Sequence, residues 1–443
     1  MVIERILIAN RGEIALRAIR TIKEMGKKAI AVYSRADKEA HYLKFADAAV
    51  CIGGEKSSES YLNIPAIITA AELTGADAIF PGYGFLSENE HFVEACEKHN
   101  IKFIGPSAKI MTEMADKSKA KEIMRKNGIP VIPGSDGILP DVESAKAEAK
   151  VVGYPVILKA TAGGGGRGMR VVENESYLEN AFLAASSEAL NAFGDGSIYM
   201  EKYIKSPRHI EMQIIADQHG NVIHLGERDC SLQRRHQKLV EESPAILLDD
   251  VTRAKLHQTA VQATAAIGYE NAGTIEFLAD ENKNFYFMEM NTRLQVEHPV
   301  SEMVSGVDLI ELMIKVAEGE TLPSQESIEL KGHAIECRIT AEDPVKFMPC
   351  PGKIKQWIVP GGKDVRVDSH AYAGYIVPSY YDSLIGKLIV WAPTRDKAIA
   401  KMHRALSEFE VSGIKTTIDF HKAMMQNPDF ISNNYDTKYL ENK

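Results

Sequence analysis

Tyr154-Pro155-Val156-Ile157-Leu158-Lys159-Ala160-Thr161 runs into Ala162-Gly163-Gly164-Gly165-Gly166-Arg167-Gly168 and then Met169-Arg170-Val171-Val172. The flanks are apolar and rich in β-branched residues, so the order predicts strand, glycine loop, strand. Glycines carry no Cβ, and the backbone N–H groups of such a loop can close around phosphate oxygens. A Walker loop opens a helix and carries Lys-Ser/Thr after its last glycine; this loop does neither. Lys159, in the leading strand, adds a point charge for the phosphates. A glycine run alone is commonly a flexible surface hairpin, so the weight falls on what accompanies it.

The companion is a second hairpin. Thr274-Ile275-Glu276-Phe277-Leu278 and Phe285-Tyr286-Phe287-Met288-Glu289 flank the polar turn 280–284. If the hairpin is symmetric about residues 282 and 283, Glu276 faces Glu289 and Thr274 faces Asn291. Two facing carboxylates repel, and a hard divalent cation relieves them. Carboxylate and amide oxygens together with nucleotide phosphates are the ligands magnesium prefers. The chain continues Asn291-Thr292-Arg293-Leu294-Gln295-Val296-Glu297-His298-Pro299. While it stays extended, Glu289, Asn291, Arg293, Gln295 and Glu297 share one face. Straight, Glu289 and Glu297 would lie ~26 Å apart, so the segment must bend for both to serve one substrate. Pro299 biases His298 towards an extended conformation.

Further out the signals weaken. Tyr199-Met200-Glu201-Lys202-Tyr203-Ile204 reads as a short strand with groups suited to an adenine-binding hinge, although an ordinary amphipathic strand is the commoner reading of such a stretch. In 227–242, Arg228, Arg234, Arg235 and Lys238 are balanced by Glu227, Asp229, Glu241 and Glu242. That balance suits an ordered polar site better than a stripe that tracks a phosphate backbone. His209 and His236, taken alone, are by default structural histidines. Upstream, Arg5 to Ala9 reads as a strand, and Ile14, Ala18, Ile19, Ile22 and Met25 recur at helical spacing. Asn10 and Glu13 have capping-box spacing, and Gly26 sits where a C-cap glycine would. Strands at 29–34, 78–80 and 102–104 and a helix at 64–73 complete an alternation that implies a parallel, doubly wound sheet. Within these first hundred or so residues no G-x-G-x-x-G turn supports a dinucleotide site. After Glu329 short strands and turns dominate, and three lobes result.

A length of 443 residues argues for two or three domains. The 45% hydrophobic and 26% charged make-up is that of a globular protein. A net charge of -9 argues against a partner bound through nucleic-acid phosphates. The first residues are too short and too charged for a signal peptide, and no apolar run approaches the ~20 residues of a membrane span. The five cysteines are odd in number and none are spaced as zinc-ligand pairs, which is the usage of a reducing compartment. The expected location is cytoplasmic.

Five stretches together resemble the biotin carboxylase family over essentially the whole chain. They are Ile8-Ala9-Asn10-Arg11-Gly12-Glu13-Ile14-Ala15, Pro81-Gly82-Tyr83-Gly84-Phe85-Leu86-Ser87-Glu88-Asn89, the 163–169 glycine loop, Arg234-Arg235-His236-Gln237-Lys238, and Glu289 through His298. The glycine loop is shared by ATP-grasp enzymes at large; the 83–89 and 289–298 motifs are specific. The resemblance implies an α/β fold with a Rossmann-like N-terminal lobe over 1–114. An ATP-grasp core follows over 115–330, with a mobile lid near 131–203, and then a C-terminal α+β lobe over 331–443. It implies an ATP-dependent carbon–nitrogen ligase that carboxylates biotin with ATP and bicarbonate through carboxyphosphate, using magnesium or manganese. It places the biotin on a separate carboxyl carrier protein, with carboxyltransferase subunits and a second copy of the chain as further partners. The activity would be the first half-reaction of an acetyl-CoA carboxylase in fatty acid biosynthesis.

Residue by residue, the resemblance puts Lys117, Lys159, Gly165, Gly166, Glu201, Lys202, Tyr203, Ile204, His209 and His236 at the nucleotide, joined by Glu276 and Glu289. Glu276, Glu289 and Asn291 match metal ligands. Lys238, Arg293, Gln295 and the Val296 backbone match the bicarbonate site, with Glu297 as general base. Arg338 and Tyr83 match the biotin side. Ala162 stands where many relatives have another glycine, and Lys363 replaces an aromatic of the dimer contact, where Arg20, Glu24 and Arg366 match. A different ATP-grasp ligase acting on an amine would share the loop and the hairpin but not the Glu297 region or Arg338. A nucleotide-binding regulatory subunit without turnover would not need the full set of charged groups.

Overall fold

The computed structural model describes residues 2–161 and 168–441, so Gly165 and Gly166 of the glycine loop lie outside the described residues. The chain divides into two compact units, 1–117 with 208–277 and 289–443, and 118–207 with 278–288.

The first unit opens with strand Arg5–Ile8, helix Gly12–Glu24, and strand Lys28–Ser34. Ile14, Ala15, Ala18, Ile19 and Ile22 are buried along one face of the helix, each isoleucine adding about 1.5–3 kcal/mol over exposure. The helix ends at Met25, and Gly26 takes the left-handed conformation beyond it (φ +73°), as expected. The capping box does not form. Arg11 is the N-cap and makes no side-chain cap. Asn10 accepts from the Arg11 N–H and donates to the carbonyls of Pro81 and Tyr83, and Glu13 turns elsewhere.

Five parallel strands run in the order Ala48–Gly53, Lys28–Ser34, Arg5–Ile8, Ala78–Phe80, Lys102–Phe103. The order reverses at Arg5–Ile8, and in open sheets of this kind ligands sit beyond the carboxyl ends of the strands at such a switch point. The loops leaving Ile8 and Phe80 supply Asn10, Arg11, Tyr83 and Phe85 to a cavity there. Gly82 turns with φ +65°, and a Cβ on it would press against Asn10 and Ile14 at 3.0 and 3.1 Å.

An eight-stranded sheet takes the order Phe285–Asn291, Asn271–Ala279, Arg208–Ala216, Val222–Arg234, Gln237–Ser243, His333–Thr340, Leu384–Ala392, Val365–Ser369. Strands from before and after residue 330 thus share one sheet. Helix Arg395–Glu408 covers His333–Thr340 and Leu384–Ala392 through Ala398, Met402, Ala405 and Leu406.

The second unit holds the antiparallel sheet Met169–Val172, Val156–Ala160, Ile198–Lys202. Val156 pairs with Val172 and Lys159 with Met169, so the two strands flanking the glycine loop are neighbours as predicted. Helices Val142–Val152 and Glu175–Phe193 pack on them around Ala145, Ala149, Leu158, Leu178 and Ala185. Among the described residues no helix is long and apolar enough to cross a membrane.

Candidate active site

Strands Val222–Arg234 and Gln237–Ser243 are joined by the two-residue turn Arg235-His236, with φ +48° and +64°. A hairpin loop of two residues wants positive φ at both, normally supplied by Asn-Gly. Holding two bulky residues there costs on the order of 1–3 kcal/mol each, strain of a kind that gathers at functional sites. The turn brings Arg235, His236 and Lys238 to a cavity of about 860 Å³.

The same cavity is lined by Tyr83, Glu276, Glu289, Asn291, Arg293, Gln295, Val296, Glu297 and Arg338. The strand carrying Glu289 ends at Asn291, and 292–297 leaves extended conformation before a helix begins at His298. That is the bend the sequence demanded. His298 is not extended, however: Pro299 sits in the first helical turn, where its missing N–H leaves nothing unsatisfied.

One ammonium gathers three carboxylates. Lys238 Nζ donates to Glu276 Oε1 at 3.0 Å, to Glu297 Oε1 at 2.8 Å, and to Glu211. Arg338 closes the other side, its Nε 2.5 Å from Glu241 Oε1 and its Nη2 3.0 Å from Glu297 Oε2. His209 lies 3.0 Å from Glu276 Oε2 and 3.1 Å from Glu211 Oε1. Gln295 Nε2 and Asn291 Nδ2 also donate to Glu276 Oε1, at 2.9 and 2.8 Å. Arg293 reaches Glu88 Oε2 at 2.8 Å and Asn291 Oδ1 at 3.1 Å, and Lys117 Nζ pairs with Glu289 Oε2 at 2.7 Å.

The proton affinities follow. Burial works against ionised Glu297, but Lys238 and Arg338 overcome it and hold the carboxyl down at about 2. Burial likewise opposes ionised Glu276, and Lys238 and His209 bring it well below its usual range. Burial would neutralise His209; Glu276 reverses that and lifts it to about 9, so it is an imidazolium at neutral pH. For Glu241 burial wins: despite Arg338 it rises to about 7, with the charge of Glu297 adding to the effect.

Glu276, Glu289 and Asn291 offer hard oxygens on two hydrogen-bonded strands, the donor chemistry that suits magnesium. His209, Glu211 and Glu276 also converge closely enough to share an ion, but Lys238 already bridges Glu211 and Glu276 there.

These motifs lie in a frame matched along its length by known families. Residues 2–111 match the biotin carboxylase N-terminal domain, 116–325 the ATP-binding domain of the carbamoyl-phosphate synthase L chain, and 336–442 the biotin carboxylase C-terminal domain. The chain is 55% identical to biotin carboxylase 1 of Bacillus subtilis, covering 99% of this chain and 98% of that protein. The chain belongs to the biotin carboxylase family. The Campylobacter jejuni biotin carboxylase, solved as a β,γ-ATP complex, superposes with a TM-score of 0.93 at 71% identity, covering 100% of this chain and 99% of that one. The biotin carboxylase domain dimer of Hydrogenobacter thermophilus 2-oxoglutarate carboxylase, solved with MgADP, ADP and bicarbonate, gives 0.91 at 51% identity, covering 100% and 98%.

As a member of the biotin carboxylase family the chain has an ATP-grasp fold, and the residues expected at the nucleotide fall on both units. In the second unit Glu201 binds Lys159 Nζ at 2.5 Å and also Lys121. Burial works against its charge, and the two lysines keep it ionised. Lys202 Nζ donates to the carbonyls of Gly153 and Tyr154, both at 2.9 Å, and the Tyr203 N–H to Pro155 O at 3.0 Å. Ile204 follows that strand. In the first unit, His209, His236, Glu276 and Glu289 stand as described.

Three groups escaped the sequence reading. Glu211, wholly buried, binds Lys238 and Arg228. It shares one face of strand Arg208–Ala216 with His209 and Gln213, so the period-two rule applied to the hairpin could have exposed it. Glu241 had appeared only as a balancing charge. Glu88, which holds Arg293 Nε and the Thr292 N–H, lay inside the specific 83–89 motif but was given no role of its own. The thiols are free: Cys96, Cys230 and Cys337 are buried, Cys350 is half-buried and Cys51 is exposed.

Proposed function

We propose that the chain carboxylates biotin on a separate carboxyl carrier protein, consuming ATP and bicarbonate, as the first half-reaction of a multi-subunit carboxylase. The observation that carries this reading is the Glu297 carboxylate held between Lys238 at 2.8 Å and Arg338 at 3.0 Å on the wall of one cavity. A base, two cations and room for a small anion stand together there.

In this reading Lys238, Arg293, Gln295 and the Val296 backbone bind bicarbonate, and Glu297 accepts its proton. A carboxyl at about 2 is fully ionised but a weak base, and catalysis favours a proton affinity nearer the working pH. A bicarbonate anion drawn to Lys238 competes for the ammonium that holds Glu297 down and adds a like charge beside it; both changes raise its basicity. Bicarbonate oxygen then attacks the γ-phosphorus, and carboxyphosphate and ADP form. Lys238 and Arg293 offset the charge of this transfer, which is governed by positioning and electrostatics. Carboxyphosphate decomposes to carbon dioxide and a basic phosphate that removes the biotin N1′ proton. Arg338 holds the ureido oxygen as its charge grows, and Tyr83 completes the biotin side. Glu276, Glu289 and Asn291 would hold magnesium, which when bound neutralises phosphate charge. Lys117, Lys159, Gly165, Gly166, Glu201, Lys202, Tyr203, Ile204, His209 and His236 bind ATP, and the 131–203 lid closes to keep water from carboxyphosphate.

The likeness to the H. thermophilus domain dimer supports a homodimer; the family resemblance would put Arg20, Glu24 and Arg366 at its contact, where Lys363 stands in place of an aromatic. Acetyl-CoA is our reading of the downstream acceptor and the cytoplasm of the location; pyruvate and 2-oxoglutarate are competing acceptors, and co-purification with the carboxyltransferase subunits separates them. ADP release from purified protein tests the reaction itself. It should require bicarbonate and rise with biotin; release stimulated by an amine acceptor instead would point to another ATP-grasp ligase.

A further inference from the structure

A lysine behind the cavity wall touches two of its sides. Lys387, in strand Leu384–Ala392, is wholly buried. Its Nζ donates to the Val296 carbonyl at 2.7 Å and lies 3.0 Å from Glu13 Oε1. Tyr83 donates its hydroxyl to the same Glu13 oxygen. A single ammonium thus connects the loop before Glu297 to a tyrosine that lines the same cavity.

Such a lysine needs a reason, since an apolar residue of similar volume generally serves a core as well or better. Strand register sharpens the question, because Lys387 pairs with Arg338 and places two cations side by side. Glu13, Glu336 and Asp368 surround Lys387 and compensate it. Among the described residues Glu13 Oε2 and both Glu336 oxygens are buried with no hydrogen-bond partner, so Lys387 does not satisfy the whole of its acidic surroundings. What Lys387 does satisfy is the Val296 carbonyl. That carbonyl shares a rigid plane with the Glu297 N–H, so fixing it fixes the peptide from which the Glu297 side chain departs. The segment 292–297 has no sheet or helix ladder to do this.

We propose that Lys387 is a positioning residue that sets both sides of the cavity at once, the bicarbonate side through Val296 and the biotin side through Glu13 and Tyr83. The inference rests on the roles proposed above for Val296, Glu297 and Tyr83. It explains how a bound acid on one helix, a phenol on a loop and a peptide far away in sequence keep one geometry.

The test uses the full chain with free biotin as acceptor. Lys387→Met with Glu13→Gln removes the ion pair together, so neither partner is left charged alone. It should raise KM for bicarbonate at least ~10-fold, the scale of losing a hydrogen bond to a charged group, while KM for ATP stays put. A folded double variant with wild-type KM for bicarbonate overturns the proposal. Should that variant not fold, Glu13→Gln alone leaves Lys387 beside Asp368 and Glu336. Glu13→Gln and Tyr83→Phe should each raise KM for biotin, and their combination should raise it no further. Unchanged or additive effects overturn the proposal equally. Wild-type protein without bicarbonate-dependent ADP release would instead defeat the functional reading beneath it.

Discussion

Replacing Arg338 by alanine separates the two halves of the proposed reaction. The guanidinium makes two contacts, to Glu241 at 2.5 Å and to Glu297 at 3.0 Å. Its loss leaves Glu297 with Lys238 at 2.8 Å, so the base stays ionised and next to the bicarbonate site. Glu241, already raised to about 7 by burial, takes up a proton once Arg338 is gone, which limits the cost of leaving it buried. The damage therefore falls on the later step, where a preorganised donor faces growing charge on the ureido oxygen. Deleting one such donor costs on the order of 3 kcal/mol, which is roughly a hundredfold in rate. Arg338→Ala should lose carboxybiotin formation by about that factor and lose bicarbonate-dependent ADP release far less. Glu297→Gln acts earlier and should lose both together. Both activities are read on both variants with coupled ADP release and product assay. Equal loss of the two in Arg338→Ala would refute the late role of this residue.

Other outcomes follow from the same geometry. Glu276→Gln with Glu289→Gln should abolish turnover at ordinary magnesium by removing two ligand charges; near-normal turnover would show that the hairpin does not hold the ion. His209 has a folded pKa of about 9, above its unfolded value near ~6.5. Its stabilising contribution is therefore complete below ~6.5 and lost as pH rises through about 9. Urea midpoints between pH 6.5 and 9.5 should fall more steeply for the wild type than for His209→Gln, and parallel curves would contradict the ion pair. These 443 residues contain no Ala-Met-Lys-Met acceptor, the nearest stretch being Lys422-Ala423-Met424-Met425. Intact mass after co-expression with a biotin ligase should show no adduct, and a stoichiometric one would remove the need for a separate carrier.

Much of this site could be read from sequence because its parts repeat at the period of the backbone that carries them. Glu276, Glu289 and Asn291 lie on strands, where alternation shows which side chains share a face. Beyond Asn291 that rule fails, and distance alone forced the conclusion that the chain bends. The failed capping box has a plainer cause. Asn10 and Glu13 carry the right spacing, but tertiary partners took both side chains, Asn10 the carbonyls of Pro81 and Tyr83, and Glu13 the ammonium of Lys387. Contacts such as Arg338 with Glu241, or Arg293 with Glu88, join residues far apart in the chain. Nothing local marks them, because they exist only once the sheet has brought distant strands together.

If bicarbonate is activated as carboxyphosphate, the oxygen atoms record it. Attack by bicarbonate on the γ-phosphorus leaves one of its oxygens on the phosphate released when carboxyphosphate decomposes. Turnover of purified protein with ¹⁸O-labelled bicarbonate, ATP, magnesium and biotin should therefore transfer one labelled oxygen to each inorganic phosphate, read by mass spectrometry. Phosphate free of label, released at the same rate as ADP, would mean that water or another nucleophile attacks ATP, and the account would be wrong.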